Sequence, residues 1–161
     1  MRAKHQGMVN PGTMLLVGEA SGSQLGEKNF LEALPQNRGV PVPSRPHSLI
    51  EDEATIRQIA QLVMEEAGYE VDLADNAEVA HARLSSTRYE LVLADWILPD
   101  GDGIYLADRA LALGARTVVV TGHISDLPPG TGSRHHLLMK PFQPAQLLAV
   151  IKALIGEPRC R

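Results

Sequence analysis

An α/β fold, a doubly wound parallel sheet of five strands, is what this sequence predicts, and three observations carry the prediction. From about residue 48 onward, short apolar runs ("YEVDLA", "YELVLAD", "RTVVVT", "HLLMK") alternate with stretches of helical period. Strand-helix units of this length close through right-handed crossovers, which set the strands parallel. The runs at 89–95 and 116–121 are apolar almost throughout, as strands covered on both faces are.

The elements follow in order. Pro43 and Pro46 cannot donate to a central ladder, so the first strand is short and begins near His47. A first helix spans about residues 53–67, with Ile56, Ile59, Ala60, Val63 and Ala67 on one stripe and Gly68 as its stop signal. "YEVDLA" is the second strand, and Asn76 caps a second helix, "AEVAHARLS". "YELVLAD" is the third strand. The third helix runs from about 103 to 113, capped by Asp102 and ended by Gly114, and "RTVVVT" is the fourth strand. The segment "SDLPPGTGSR" holds two prolines and two glycines where a fourth helix would stand, so that helix is short or missing. "HLLMK" is the fifth strand. A fifth helix opens on "QPAQ" and carries Leu147, Leu148, Ile151 and Leu154 to about residue 155.

A chain of 161 residues suits one domain with an appendage. Residues 1–47, with six glycines and five prolines, read as an irregular arm or linker; residues 48–157 form the domain and 158–161 a tail. "TMLLV" at 13–17 reads as a short extra strand or as part of that arm, and Gly18, Gly22 and Gly26 fit neither phosphate-binding fingerprint. A formal charge of -4 argues against direct nucleic-acid binding, and the lone Cys160 excludes a disulfide framework. The longest N-terminal apolar run, "MLLV", is far short of a signal core or a membrane span, so a cytoplasmic protein is expected.

Ligands of parallel α/β sheets bind at the carboxyl ends of the strands. There the first strand leaves Glu51 and Asp52, the third Asp95, the fourth Thr121 and the fifth Lys140. Burying an unpaired carboxylate is costly, and clustered carboxylates repel unless a hard cation joins them. The set therefore predicts a Mg2+ site. His135 and His136 are adjacent on a strand and face opposite ways, which argues against a metal pair, and His123 reads as a loop residue.

The ordered pieces "LIEDE", "DWILPDGDG", "VVVTG" and "MKPF" resemble those of response-regulator receiver domains, the phosphoacceptor modules of two-component signalling. The likeness covers about residues 48–156. It implies a flavodoxin-like sheet in the order 2-1-3-4-5, with Asp95 as phosphoacceptor and Thr121 and Lys140 holding the phosphoryl oxygens. It also implies Mg2+ ligation by Asp52, Asp95 and the Ile97 backbone carbonyl, with Glu51 acting mainly through metal-bound water. Gly122 would leave room for the phosphoryl group, and Pro99, Gly101 and Gly103 would shape the acceptor loop. The implied donor is a sensor histidine kinase or a histidine phosphotransfer protein, and the implied output is contact with another, unidentified protein.

In two places the sequence departs from the pattern. Leu137 stands three before Lys140, where receivers usually carry Tyr or Phe, and the fourth helix is curtailed. Two other functions remain to be weighed. A Mg2+-dependent aspartyl-phosphate phosphohydrolase similar to the haloacid dehalogenase family would carry a second Asp at position 97, where this chain has Ile. A pseudo-receiver acting without phosphate would not need the complete acid, Thr and Lys set. Only "EPRCR" follows the fifth helix, so no attached output domain is expected.

Overall fold

The computed structural model describes residues 45–158; residues 1–44 of the arm, with its 13–17 segment, and all of the tail but Pro158, Cys160 included, lie outside them. The elements are β1 (His47–Ile50), α1 (Ala54–Glu66), β2 (Val71–Ala74), α2 (Ala77–Ser86), β3 (Leu91–Asp95), β4 (Ile97–Leu98), β5 (Gly101–Asp102), α3 (Gly103–Ala112), β6 (Arg116–Thr121), a 3-10 turn (Ile124–Asp126), α4 (Thr131–Arg134), β7 (His136–Met139) and α5 (Pro144–Ile155). Five strands pair in parallel in the order β2-β1-β3-β6-β7. That is the expected 2-1-3-4-5 order once the β4-β5 pair, a separate two-stranded antiparallel hairpin that the sequence pattern did not indicate, is set aside. No described helix is long and apolar enough to cross a membrane.

Alternation along the central strands divides the core between the two faces. Leu91 and Leu93 of β3 join Val118 and Val120 of β6 under α1 and α5, with Ala60, Met64, Leu147 and Ile151. Val92 and Ala94 point the other way, into a cluster with Ala77, Ala80 and Leu84 of α2 and Leu106 and Ala110 of α3. Val119 meets Ile104 and Ala107 of α3, with Trp96, Leu127 and Leu137 packed against them.

Local signals placed most boundaries. Asn76 accepts the Val79 N–H at 2.8 Å, and Asp102 accepts that of Ile104 at 2.8 Å. Gly68 and Gly114, at φ 93° and 88°, follow the ends of α1 and α3. The curtailed fourth helix is a single turn, preceded by the 3-10 turn. The stripe assigned to α1 needs a correction, because its buried centre lies at Ala60 and Met64. Ile59, about 100° of helix rotation from Ala60, is 51% exposed.

The two histidines do diverge. His135 precedes β7 and is buried, between Thr117 Oγ1 at 2.8 Å and Asp108 Oδ1 at 3.0 Å, while His136 is exposed. Arg134 pairs with the same carboxylate at 3.0 Å, so the end of α4 is tied to α3.

Candidate functional site: an acidic cluster bridged by a lysine

Each residue expected at the strand ends lies there. Glu51 and Asp52 follow β1, Asp95 closes β3, Thr121 closes β6 and Lys140 follows β7. The ends are held by the backbone: Glu51 N–H donates to Ala74 O at 3.0 Å, Trp96 N–H to Val120 O at 2.9 Å, and Lys140 N–H to Thr121 O at 2.8 Å. Parallel register thus brings residues 45 positions apart into one cluster.

One carboxylate oxygen from each of Glu51, Asp52 and Asp95 lies within 4.8 Å of the others. Lys140 Nζ donates to Asp95 Oδ2 at 2.6 Å and sits 2.8 Å from Glu51 Oε2 and 3.0 Å from Glu51 Oε1. Glu51 is 2% exposed and Asp95 8%. Burial pushes the Glu51 carboxyl above its usual range, and the Asp95 charge adds to the rise against the pull of Lys140. Burial acts to lower the Lys140 pKa, but hydrogen bonds and charge from Asp95 and Glu51 outweigh it and the ammonium is held above its ordinary value. Three carboxylates face one ammonium, so the ionised cluster is negative, and its donors are hard oxygens of the kind a divalent cation such as Mg2+ takes.

Thr121 is buried, and its Oγ1 accepts the His123 N–H at 3.0 Å, which leaves the hydroxyl proton free to be donated. Ile97 opens β4 with its side chain 63% exposed. A Cβ at Gly122 would meet no atom within 4 Å, so the space beside Thr121 is open. Beside Lys140 lies a mainly apolar groove of about 390 Å³, lined by Glu53, Ile56, Ile59, Pro141 and Phe142.

Three contributions were not visible in the sequence. Gly103 and Gly101 serve by close approach, because a Cβ at Gly103 would overlap the Asp95 carbonyl and one at Gly101 would collide with Ala77. Asp100 caps α2 from a distance, accepting Ala77 N–H at 2.7 Å and Glu78 N–H at 3.0 Å, and the Ala77 bond leads in holding its carboxyl below the usual range. Arg57 Nη1 donates to the carbonyls of Glu51 at 2.7 Å and Asp52 at 2.9 Å. For Asp100 and Arg57, separations of 23 and of five and six positions carry no turn or cap signature, so no local pattern announced either.

A family model described as the response regulator receiver domain matches residues 48–152. The chain belongs to this family. This receiver domain is 33% identical over 117 residues to the phosphate regulon transcriptional regulatory protein PhoB of Pseudomonas aeruginosa, across 66% of this chain and 50% of that protein. It is 31% identical over 112 residues to the response regulator receiver protein CpdR of Brucella abortus, across 66% of this chain and 93% of that one. The chain therefore spans about half the length of its PhoB relatives and nearly all of CpdR. Among solved structures, a two-component response regulator from Clostridium difficile aligns with a TM-score of 0.63 at 28% identity, covering 70% of this chain and 96% of that one. The receiver domain of the sensor histidine kinase PA1611 from Pseudomonas aeruginosa, solved with magnesium in its active-site cleft, shares the fold with a TM-score of 0.62 at 22% identity, covering 71% of this chain and 99% of that one. Receiver domains are the phosphoacceptor switches of two-component systems, and that is the functional class of this chain.

Proposed function

We propose that the chain receives a phosphoryl group on Asp95 from the phosphohistidine of a sensor kinase or phosphotransfer protein, in a Mg2+-dependent reaction, and signals by protein-protein contact. The observation that carries this reading is Lys140 Nζ placed between Asp95 Oδ2 and Glu51, with the Asp52 carboxylate beside them. Lys140 engages Oδ2, so Asp95 Oδ1 is the oxygen that attacks phosphorus. The O–P bond forms as the P–N bond of the donor breaks, and its electron pair returns to the imidazole nitrogen. Such transfers ask for alignment and charge neutralisation more than covalent chemistry. Lys140 neutralises one phosphoryl oxygen, and Thr121 donates its free O–H to another while His123 N–H fixes the rotor. Asp52, Asp95 and the Ile97 carbonyl would hold Mg2+, with Glu51 acting through its water; the ion would offset charge that Lys140 alone leaves unmatched.

The apolar groove beside Lys140 supports a protein as donor. A hydrolase of the haloacid dehalogenase type is disfavoured, because Ile97 stands where its second acid would be and turns its side chain to solvent. Acetyl phosphate with Mg2+ is expected to add one phosphoryl group by intact mass, and Asp95→Asn to abolish it. Undiminished labelling of that variant would overturn the assignment.

A further inference from the structure

Asp52 presents its carboxylate to the cluster, yet that side chain is exposed and makes no hydrogen bond or ion pair among the described residues. Its aim must come from its backbone. The usual device for fixing a strand-to-helix turn is a side-chain cap on the helix that follows. α2 is capped by Asn76 and Asp100, α3 by Asp102, and α5 is closed by Gln146 Oε1 on the Gln143 N–H at 2.7 Å. At α1 the N-cap residue Glu53 offers no cap from its own side chain, and its N–H reaches only Glu51 Oε1, at a long 3.3 Å.

We infer that Arg57 takes over this task as a positioning residue, fixing the backbone of Asp52 and through it the aim of the acidic pair at the Mg2+ site; this rests on the proposed phosphoacceptor reading. The carbonyls of Glu51 and Asp52 belong to the two peptide planes that flank the Asp52 Cα. One nitrogen, Arg57 Nη1, donates to both, at 2.7 and 2.9 Å. Because the planes are rigid, tying both oxygens to a single atom limits their separation, which restrains φ and ψ of Asp52 jointly and with them the direction of its Cα–Cβ bond. Arg57 is itself anchored, since its N–H donates to Glu53 O at 2.9 Å in the first turn of α1. The guanidinium thus acts on the metal through the carbonyls of the loop, without touching the ion.

Electrostatics and positioning predict opposite signs. A guanidinium near three carboxylates competes with a divalent cation, so if charge alone mattered its removal would tighten Mg2+ binding. If Arg57 orients Asp52, removal loosens binding, roughly tenfold by the usual effect of groups that orient metal ligands. The experiment is a Mg2+ titration of Trp96 fluorescence in the full chain and in Arg57→Gln and Arg57→Lys, run well below the melting temperature of each. It is paired with amide hydrogen exchange at residues 52–54 in the metal-free proteins. Arg57→Gln is expected to bind Mg2+ about tenfold more weakly and to lose protection at 52–54, and Arg57→Lys to recover part of both. Unchanged or tighter binding by Arg57→Gln, or unchanged protection, would overturn the inference. A wild-type chain whose emission ignores Mg2+ would instead overturn the metal reading, and exchange in the metal-free proteins would still decide what Arg57 does to the loop.

Discussion

Glu51 is the residue at which function and stability pull apart. Its carboxyl is buried beside Asp95, and its folded pKa lies above the ordinary 4.5. A group whose pKa rises on folding contributes stability below its unfolded value and loses it as pH climbs through the folded value. At neutral pH, then, an ionised Glu51 works against the fold. In metal-free protein, Glu51→Gln, which keeps an acceptor for Lys140, is expected to raise unfolding free energy by roughly 0.5–2 kcal/mol at pH 7. The gain should vanish below the carboxylate range, and urea unfolding at the two pH values checks this. Gly103 poses the reverse case: Gly103→Ala must push Cβ against the Asp95 carbonyl, costing roughly 1–3 kcal/mol. Acetyl phosphate labelling should fall in step, because the atom displaced is the acceptor's own backbone.

Secondary elements here are tied together by polar pairs as well as by packing. Tyr89, just before β3, donates its hydroxyl to Asp72 Oδ2 of β2 at 2.8 Å, and so reaches across the intervening β1. Burial, reinforced by that hydrogen bond and the Asp72 charge, pushes the Tyr89 pKa from 10.0 up to about 12. By the same linkage, the stability it contributes is complete below about pH 10 and is lost as pH rises through about 12. Tyr89→Phe is expected to cost about 1 kcal/mol at pH 8. The gap from wild type should shrink between pH 10 and 12, read by denaturant midpoints across that range. Short as it is, α4 is held in a comparable way by Arg134 and His135 on Asp108 and by Thr131 Oγ1 on Pro128 O at 2.7 Å.

For the whole molecule, the acidic cluster predicts a linkage between ion and fold. Mg2+ that binds only the folded chain at ten times its dissociation constant adds about 1.4 kcal/mol. At roughly 2–4 °C per kcal/mol for a chain of this size, that is a rise of about 3–6 °C. A thermal melt with and without Mg2+ should show the rise in wild type and not in an Asp52→Asn, Asp95→Asn double variant. The order of the strands and the cluster at their ends were legible because each depends on pattern within a run and on the parallel rule that gathers run ends on one rim. Asn76 and Asp102 were legible too, since each acts within three residues of itself. The β4-β5 hairpin, the long-range cap Asp100, the Arg57 clamp and the buried His135 bridge were not. Asp100 and His135 join positions 18 to 27 apart, whose nearness exists only once the sheet has formed; the hairpin and the Arg57 clamp are local but carry no strand or cap signature, and Ile59 was misplaced because a stripe of alternatives on α1 could be centred two ways.

The two faces of the sheet differ in grain. Under α2 and α3 half of the buried cluster is alanine (Ala74, Ala77, Ala80, Ala94, Ala110, Ala115), whereas under α1 and α5 large aliphatic side chains predominate and Ala60 is the fully buried exception. Sequence drift should therefore be filtered differently on each side. On the alanine face small side chains fill the space between helices and strands, so substitutions that add volume are the ones selection removes. On the leucine face it is those that subtract volume and open a void. Random libraries of this chain sorted for folding should show that asymmetry directly, as a bias in the direction of tolerated size change that reverses from one side of the sheet to the other.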